Sequence, residues 1–195
     1  MAGPGFGLVT VAASAGGLAA LKEILGALPA DFPAPVAVVL HRTVNPPNLL
    51  PQVLSRWTSL RVKTAEEGER LRPGTIYVAP PDQHLLIGPD GICALIDGHQ
   101  RILYLLSSAD PLFSSAADVF QGSLIAVVLS GGGHDATGGV QAVKAKGGVV
   151  IAQDQATSQA FGMPGSAIET GCVDHVLPIQ EIGPALLRLT GRGSL

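Results

Sequence analysis

Charge, cysteine and aromatic residues are all scarce in this chain. Only 14% of its residues are Asp, Glu, Lys or Arg, with 12 basic side chains against 15 acidic ones and a net charge of −3. The basic residues are spread thinly and leave no electrostatic footprint for nucleic acid, which excludes that class of partner. The two cysteines, Cys93 and Cys172, are too few for a disulfide framework and stand at no metal-like spacing. Both are expected as buried, reduced thiols, and no metal or cofactor is expected. Long hydrophobic runs are missing too, although 47% of the residues are hydrophobic. Stretches such as Val36–Leu40 and Leu124–Leu129 fall far short of the roughly 18 residues a spanning helix needs, so no membrane insertion is expected.

The opening Met1-Ala2-Gly3-Pro4-Gly5 lacks a basic n-region, and the apolar segment after it is too short for a signal peptide, so a cytoplasmic location is expected. A chain of 195 residues suffices for one full core, and no linker divides it. The reading is a single domain over residues 1–195, ordered from about 8 to 190, with a disordered tail at Gly191–Leu195.

What the chain does have is one organising stretch, Val9-Thr10-Val11-Ala12-Ala13-Ser14-Ala15-Gly16-Gly17-Leu18. Leu8, Val9 and Val11 have the β-branched, continuously apolar character of a strand covered on both faces of a parallel sheet. Leu18, Leu21, Ile24, Leu25 and Leu28 then recur at helical spacing and form a core stripe. The chain must reverse within a few residues, which lifts Ser14 to the sheet's carboxyl edge, where open α/β sheets place ligands. The stretch is a relative of the nucleophile elbow, with Ala12 in place of the first glycine. Two other readings compete: a serine that merely caps the helix, and a dinucleotide turn. The second is disfavoured, because G-x-G-x-x-G is not met and the next strand ends in His41 instead of a ribose-binding acid.

Further along, Val36–Leu40 is a second buried strand ending at His41, and Asn45-Pro46-Pro47 leads to a helix near Leu49–Arg56, its end plugged by Trp57. From Arg61 to Leu105 the texture is that of a β-rich insert: Val62–Thr64, Thr75–Ala79, His84–Gly88, Ile92–Ile96 and Arg101–Leu105, with a hairpin at Asp90-Gly91. A helix over Ser108–Phe120 precedes the strongest buried strand, Leu124–Ser130, which Gly131-Gly132-Gly133 breaks. A helix through Val140 and Val143, a strand at Val149–Ala152, a short helix at Gly165–Thr170, a strand at Val173–Leu177 and a helix at Ile179–Leu189 complete the pattern.

Three strand ends thus carry polar residues of complementary type: Ser14, His41 and Asp135. If the strands are parallel neighbours, the three side chains converge on one rim. Serine is a poor nucleophile at neutral pH and needs a base, and the imidazole needs a carboxylate to fix its tautomer. The chain order Ser, His, Asp is no obstacle, since a triad is defined by geometry.

With these residues in view, the chain resembles the catalytic domain of the bacterial chemotaxis protein-glutamate methylesterases, the CheB family. The likeness runs from about Leu8 to Ile182. It rests on Ala13-Ser14-Ala15-Gly16-Gly17, His41, Leu71-Arg72-Pro73-Gly74-Thr75-Ile76-Tyr77-Val78-Ala79-Pro80, Gly131-x-Gly133-x-Asp135, Ala152-Gln153-Asp154, Gly162-Met163-Pro164 and Val173-Asp174-His175-Val176-Leu177-Pro178. The resemblance implies a three-layer α/β/α domain with a mainly parallel sheet, to which the reading of the residues adds the small hairpin insert. It implies hydrolysis of glutamate methyl esters on chemoreceptor cytoplasmic helices, with deamidation of receptor glutamines as a second activity. It assigns Ser14 as nucleophile, His41 as base and Asp135 as its orienter.

The backbone N–H groups of Ala15 and Gly132 are the candidate oxyanion donors, and Met163 is expected to line the pocket. Departures from the family are Ala12 in the elbow, Gly132 where methionine is usual, Ala136 where glycine follows the aspartate, and Ser107-Ser108-Ala109-Asp110 in place of Arg-Pro-Ser-Val-Asp. With no receiver domain upstream, regulation is expected to fall to a separate response-regulator protein. Two further readings stand beside the leading one: a non-catalytic signalling or docking module on the same fold, and a general small-ester or amide hydrolase. Of the remaining candidates, His84, His99 and His175 read as surface or satisfied strand residues. His134 reads as a loop residue, Asp110 and Asp154 as capping or loop acceptors, and Arg42 as a solvated side chain.

Overall fold

The structure, a computed structural model, describes residues 7–41, 48–97 and 108–191. Its centre is β1 (Leu8–Ala13), every residue of which is buried. The chain turns through Gly16, at φ 77°, a left-handed conformation that favours glycine, into α1 (Gly17–Gly26). There follow β2 (Val36–Leu40), α2 (Leu50–Leu54), β3 (Arg61–Thr64), β4 (Thr75–Val78), β5 (Gln83–Gly88), β6 (Ile92–Asp97), α3 (Ala109–Phe120) and β7 (Leu124–Val128). The chain continues with α4 (Thr137–Ala145), β8 (Val149–Gln153), α5 (Gly162–Glu169), β9 (His175–Leu177) and α6 (Ile179–Leu189).

Seven strands form one sheet in the order β3-β4-β2-β1-β7-β8-β9, and all its pairings are parallel. The antiparallel β5–β6 pair stands apart as a two-stranded hairpin. Alternation along the strands sorts the core into two faces. Leu8, Ala12, Ala37, Val39, Ala126 and Val128 pack with Leu112 and Phe113 of α3, Val140 of α4, Ala167 of α5 and Leu85 of the hairpin. Val9, Val11, Val36, Val38 and Val127 pack with Leu21, Ile24 and Leu25 of α1, Leu54 of α2 and Leu186 of α6. Helices thus cover both faces, the layering that keeps a parallel sheet from water. Each fully buried Leu or Ile contributes about 1.5–3 kcal/mol relative to exposure.

Several expectations are corrected. The β-rich stretch is not an insert as a whole: β3 and β4 belong to the main sheet, and only β5 and β6 form a separate hairpin. Leu18, expected in the core stripe of α1, is 40% exposed, because it sits in the first turn at the rim of the sheet. The helix expected from Gly165 already begins at Gly162, since a proline at the third helical position removes only an N–H that has no intrahelical partner. Cys93 is buried, but Cys172 is only half-buried. Trp57, expected to plug the end of α2, is partly buried against the core cluster that holds Leu21, Ile24 and Leu54, with the Lys22 ammonium 5.9 Å from its ring centre. The strand expected at Arg101–Leu105, the loop at Asn45-Pro46-Pro47, Arg42, His99 and the tail beyond Gly191 lie outside the described residues.

Candidate active site

The paired registers of β1 place Ser14 between two neighbours. Ala13 is opposite Leu40 in β2, and Ala12 is opposite Val128 in β7. The ladder continues past the strand ends: His41 N–H donates to Ala13 O at 2.9 Å, and Ser14 N–H donates to Ser130 O at 3.0 Å. One further step along the register therefore puts Ser14 beside His41, on adjacent strands spaced about 4.8 Å apart. Ala12 is an ordinary buried strand residue, so the missing glycine leaves the elbow intact. The strained turn is carried by Gly16, while Ser14 itself has no positive φ. The residue capping α1 is Gly16, with no side-chain cap, which disposes of Ser14 as a helix cap. Among the described residues the Ser14 hydroxyl makes no hydrogen bond.

His41 meets Asp135 across the sheet edge, Nε2 to Oδ2 at 2.7 Å, with the His41 side chain 11% and the Asp135 side chain 3% exposed. Asp135 precedes α4 and sits against the start of α3. Its Oδ1 accepts from Ser108 Oγ at 2.6 Å and its Oδ2 from Ala109 N–H at 2.6 Å. Burial pushes the Asp135 carboxyl up, but the hydrogen bonds from His41, Ser108 and Ala109 outweigh it and hold the group below its ordinary range. An ionised carboxylate only accepts, so the proton shared with His41 lies on Nε2, and in the neutral ring Nδ1 is the nitrogen with the lone pair. The donating helix end adds the favourable field that an anion finds at a helix N-terminus.

The glycine loop closes the other side. A Cβ on Gly131 would lie 2.4 Å from Met163 Sδ and 2.9 Å from Ser14 Cβ, so only glycine allows this approach. Gly133 needs its φ of 78°, whereas Gly132 has open space where a Cβ would stand. Met163 is fully buried behind Gly131, with its N–H on Gly131 O at 2.8 Å. Ser130 binds the loops together: its hydroxyl donates to Ala15 O at 2.7 Å and accepts from Ala160 N–H at 3.0 Å. The N–H groups of Ala15 and Gly132 have no partner among the described residues and remain available as donors. Ala136 holds φ 77° without being glycine, local strain directly after Asp135.

The other polar candidates fall where simple readings put them. His134 is exposed and uses its carbonyl to accept from Thr137 Oγ1. Asp154 accepts from Thr157 N–H at 3.0 Å, and His175 is an exposed residue of β9. Asp110 accepts from Gly139 N–H at 2.7 Å. Burial raises its carboxyl above the ordinary range, the Gly139 N–H pulls it back, and the Asp135 charge raises it further. Among the described residues no His, Cys, Asp and Glu cluster has the make-up of a metal site. No described helix is long and apolar enough to cross a membrane.

Two features escaped the sequence reading. Ser108 appears there as the first residue of an expected helix and within a departure from the family pattern, yet its side chain caps α3 and touches Asp135. His84 reads as a surface or satisfied strand residue; it is fully buried, and its Nδ1 accepts from Ser108 N–H at 3.0 Å. A serine directly before a helical run was the only available signal.

The chain is similar to known proteins over nearly its whole length. The CheB methylesterase family model matches residues 9–186. A protein-glutamate methylesterase/protein-glutamine glutaminase of Maricaulis maris is 36% identical over 96% of this chain, which covers 47% of that relative. A second relative of that name, from Caulobacter vibrioides, is 39% identical over 90% of this chain and 52% covered. The chain therefore spans about half the length of these relatives. A putative relative from Leptospira interrogans is 36% identical, with 93% of both chains covered. The crystal structure of the Thermotoga maritima CheB methylesterase catalytic domain superposes with a TM-score of 0.86 at 38% identity, covering 94% of this chain and 98% of that one. On the family match and the shared fold, the chain belongs to the CheB methylesterase family.

Proposed function

We propose that this chain is a serine hydrolase that removes methyl esters from glutamate side chains on the cytoplasmic helices of chemoreceptors, and that it also deamidates receptor glutamines. The observation that carries this reading is the 2.7 Å contact between His41 Nε2 and Asp135 Oδ2, set in register beside Ser14. The names of the relatives point to the same ester and amide chemistry.

In this reading His41 Nδ1 takes the Ser14 proton as Oγ attacks the ester carbonyl. The oxygen that becomes negative is met by the N–H groups of Ala15 and Gly132, a role in which one lost donor costs about 2.7–4 kcal/mol of barrier. The tetrahedral species collapses, the C–O bond to the methoxy group breaks, and methanol leaves with the proton from His41. Water, deprotonated by His41, then attacks the acyl-serine and releases the glutamate carboxylate and the free hydroxyl. For a glutamine the leaving group is ammonia. Asp135 holds the imidazolium in each half-reaction.

The test is methanol release from a methylated receptor fragment by the wild type and by Ser14→Ala. Release by the wild type alone is the expected result. Turnover that survives in Ser14→Ala overturns the assignment.

A further inference from the structure

The carboxylate that orients His41 is itself oriented by a structure outside the three residues. Asp135 Oδ2 is taken by His41 and Ala109 N–H, while Oδ1 has one side-chain partner, the Ser108 hydroxyl at 2.6 Å. Ser108 is fully buried and so is His84. A backbone N–H is an obligate donor, so in the 3.0 Å contact between Ser108 N and His84 Nδ1 the ring nitrogen is the acceptor, unprotonated at that atom. His84 lies on β5, so the hairpin outside the main sheet reaches the site through this bond.

We propose that Ser108, held from behind by His84, is a positioning residue for the hydrolytic reaction: its hydroxyl fixes the Asp135 carboxylate plane and, through it, the His41 ring. The proposal rests on the serine-hydrolase reading above. The physical need is clear from the torsions. A carboxylate gripped only through Oδ2 rotates about its terminal bond, whereas one held at both oxygens presents Oδ2 to His41 in a single orientation. Ser108 also caps α3, its Oγ accepting from Asp110 N–H at 3.3 Å, so the two roles must be separated. Glycine does this, because it serves as a helix cap at a cost of only a few tenths of a kcal/mol but brings no hydroxyl.

The experiment follows the rate at which a fluorophosphonate probe labels Ser14, read by intact mass, for the wild type, S14A, S108G, S108A, S108T and H84L. Thermal melts run in parallel. The His41 Nε2–H proton resonance reports the bond to Asp135. The expected result is labelling in the wild type and none in S14A. S108G and S108A should slow by about tenfold or more, the scale set by a hydrogen bond to a charged group, and the His41 resonance should shift or vanish. S108T should recover most of the rate, and H84L should slow in the same direction. On the methylated receptor fragment, kcat should fall with KM little changed. If S108G and S108A stay folded and label at the wild-type rate with the His41 resonance in place, the positioning role is wrong while the nucleophile assignment stands. If the wild type itself is not labelled at Ser14, the hydrolase reading falls and this inference with it.

Discussion

Nε2 of His41 lies 2.7 Å from Oδ2 of Asp135, two residues separated by 94 positions in sequence. Because Ser108 Oγ and Ala109 N–H also donate to this carboxylate, the histidine must donate through Nε2. In the proposed reaction Nδ1 is then the nitrogen left to serve as base.

Asp135→Asn should therefore do more than remove a charge. An amide must present either its NH2 or its carbonyl to Nε2, and presenting the NH2 would favour the opposite tautomer. Hydrolysis should drop by about 10⁴-fold, as when a buried triad aspartate is made neutral. Methanol release at saturating substrate measures it, with a native melt as the check on folding.

Acid stability should carry the mark of the same carboxyl. Its folded value is held below the ordinary one, and an unfolded aspartate titrates near ~3.9. The carboxylate's contribution to stability is fully present above the unfolded value and is lost as pH falls through the lower, folded value. Asp174 adds the same sign: burial raises it, but Lys144 and Val150 N–H lower it further. Urea midpoints from pH 6 downward should show the gap between wild type and Asp135→Asn narrowing only below about pH 4.

The two neighbouring glycines should separate in mutagenesis. Gly131→Ala drives a methyl into Met163 Sδ and Ser14 Cβ, contacts of 2.4 and 2.9 Å, and overpacking of this kind costs about 1–3 kcal/mol. Both stability and Ser14 reactivity should fall. Gly132→Ala meets open space, so its melting temperature should stay close to that of the wild type, within about 0.5 kcal/mol. Thermal melts of the pair decide the contrast.

The two thiols should also differ. Burial, with Glu69 adding to it, pushes the Cys93 thiol up to about 12, and the side chain has no exposed surface. Cys172 is half-buried. A disulfide reagent at pH 8 should titrate Cys172 in the native protein and reach Cys93 only in denaturant. Rapid native labelling of both would contradict the buried placement of Cys93.

The sequence alone determined the pieces. Apolar runs of strand length, helical spacing and glycine breaks located β1, β2, β7 and the turns after them, because burial on both faces of a parallel sheet leaves a local pattern in composition. Residue chemistry likewise singled out Ser14, His41 and Asp135. Tertiary structure decided how the pieces meet: that β2, β1 and β7 are adjacent, that β3 and β4 join the main sheet, that Leu18 faces outward, and which histidine nitrogen faces the carboxylate. It also brought Ser108 to Asp135 and His84 to Ser108. These are pairings between segments distant along the chain. Strand register and side-chain hydrogen bonds of that kind are fixed by packing of the whole sheet and its covering helices, and no window of neighbouring residues encodes them.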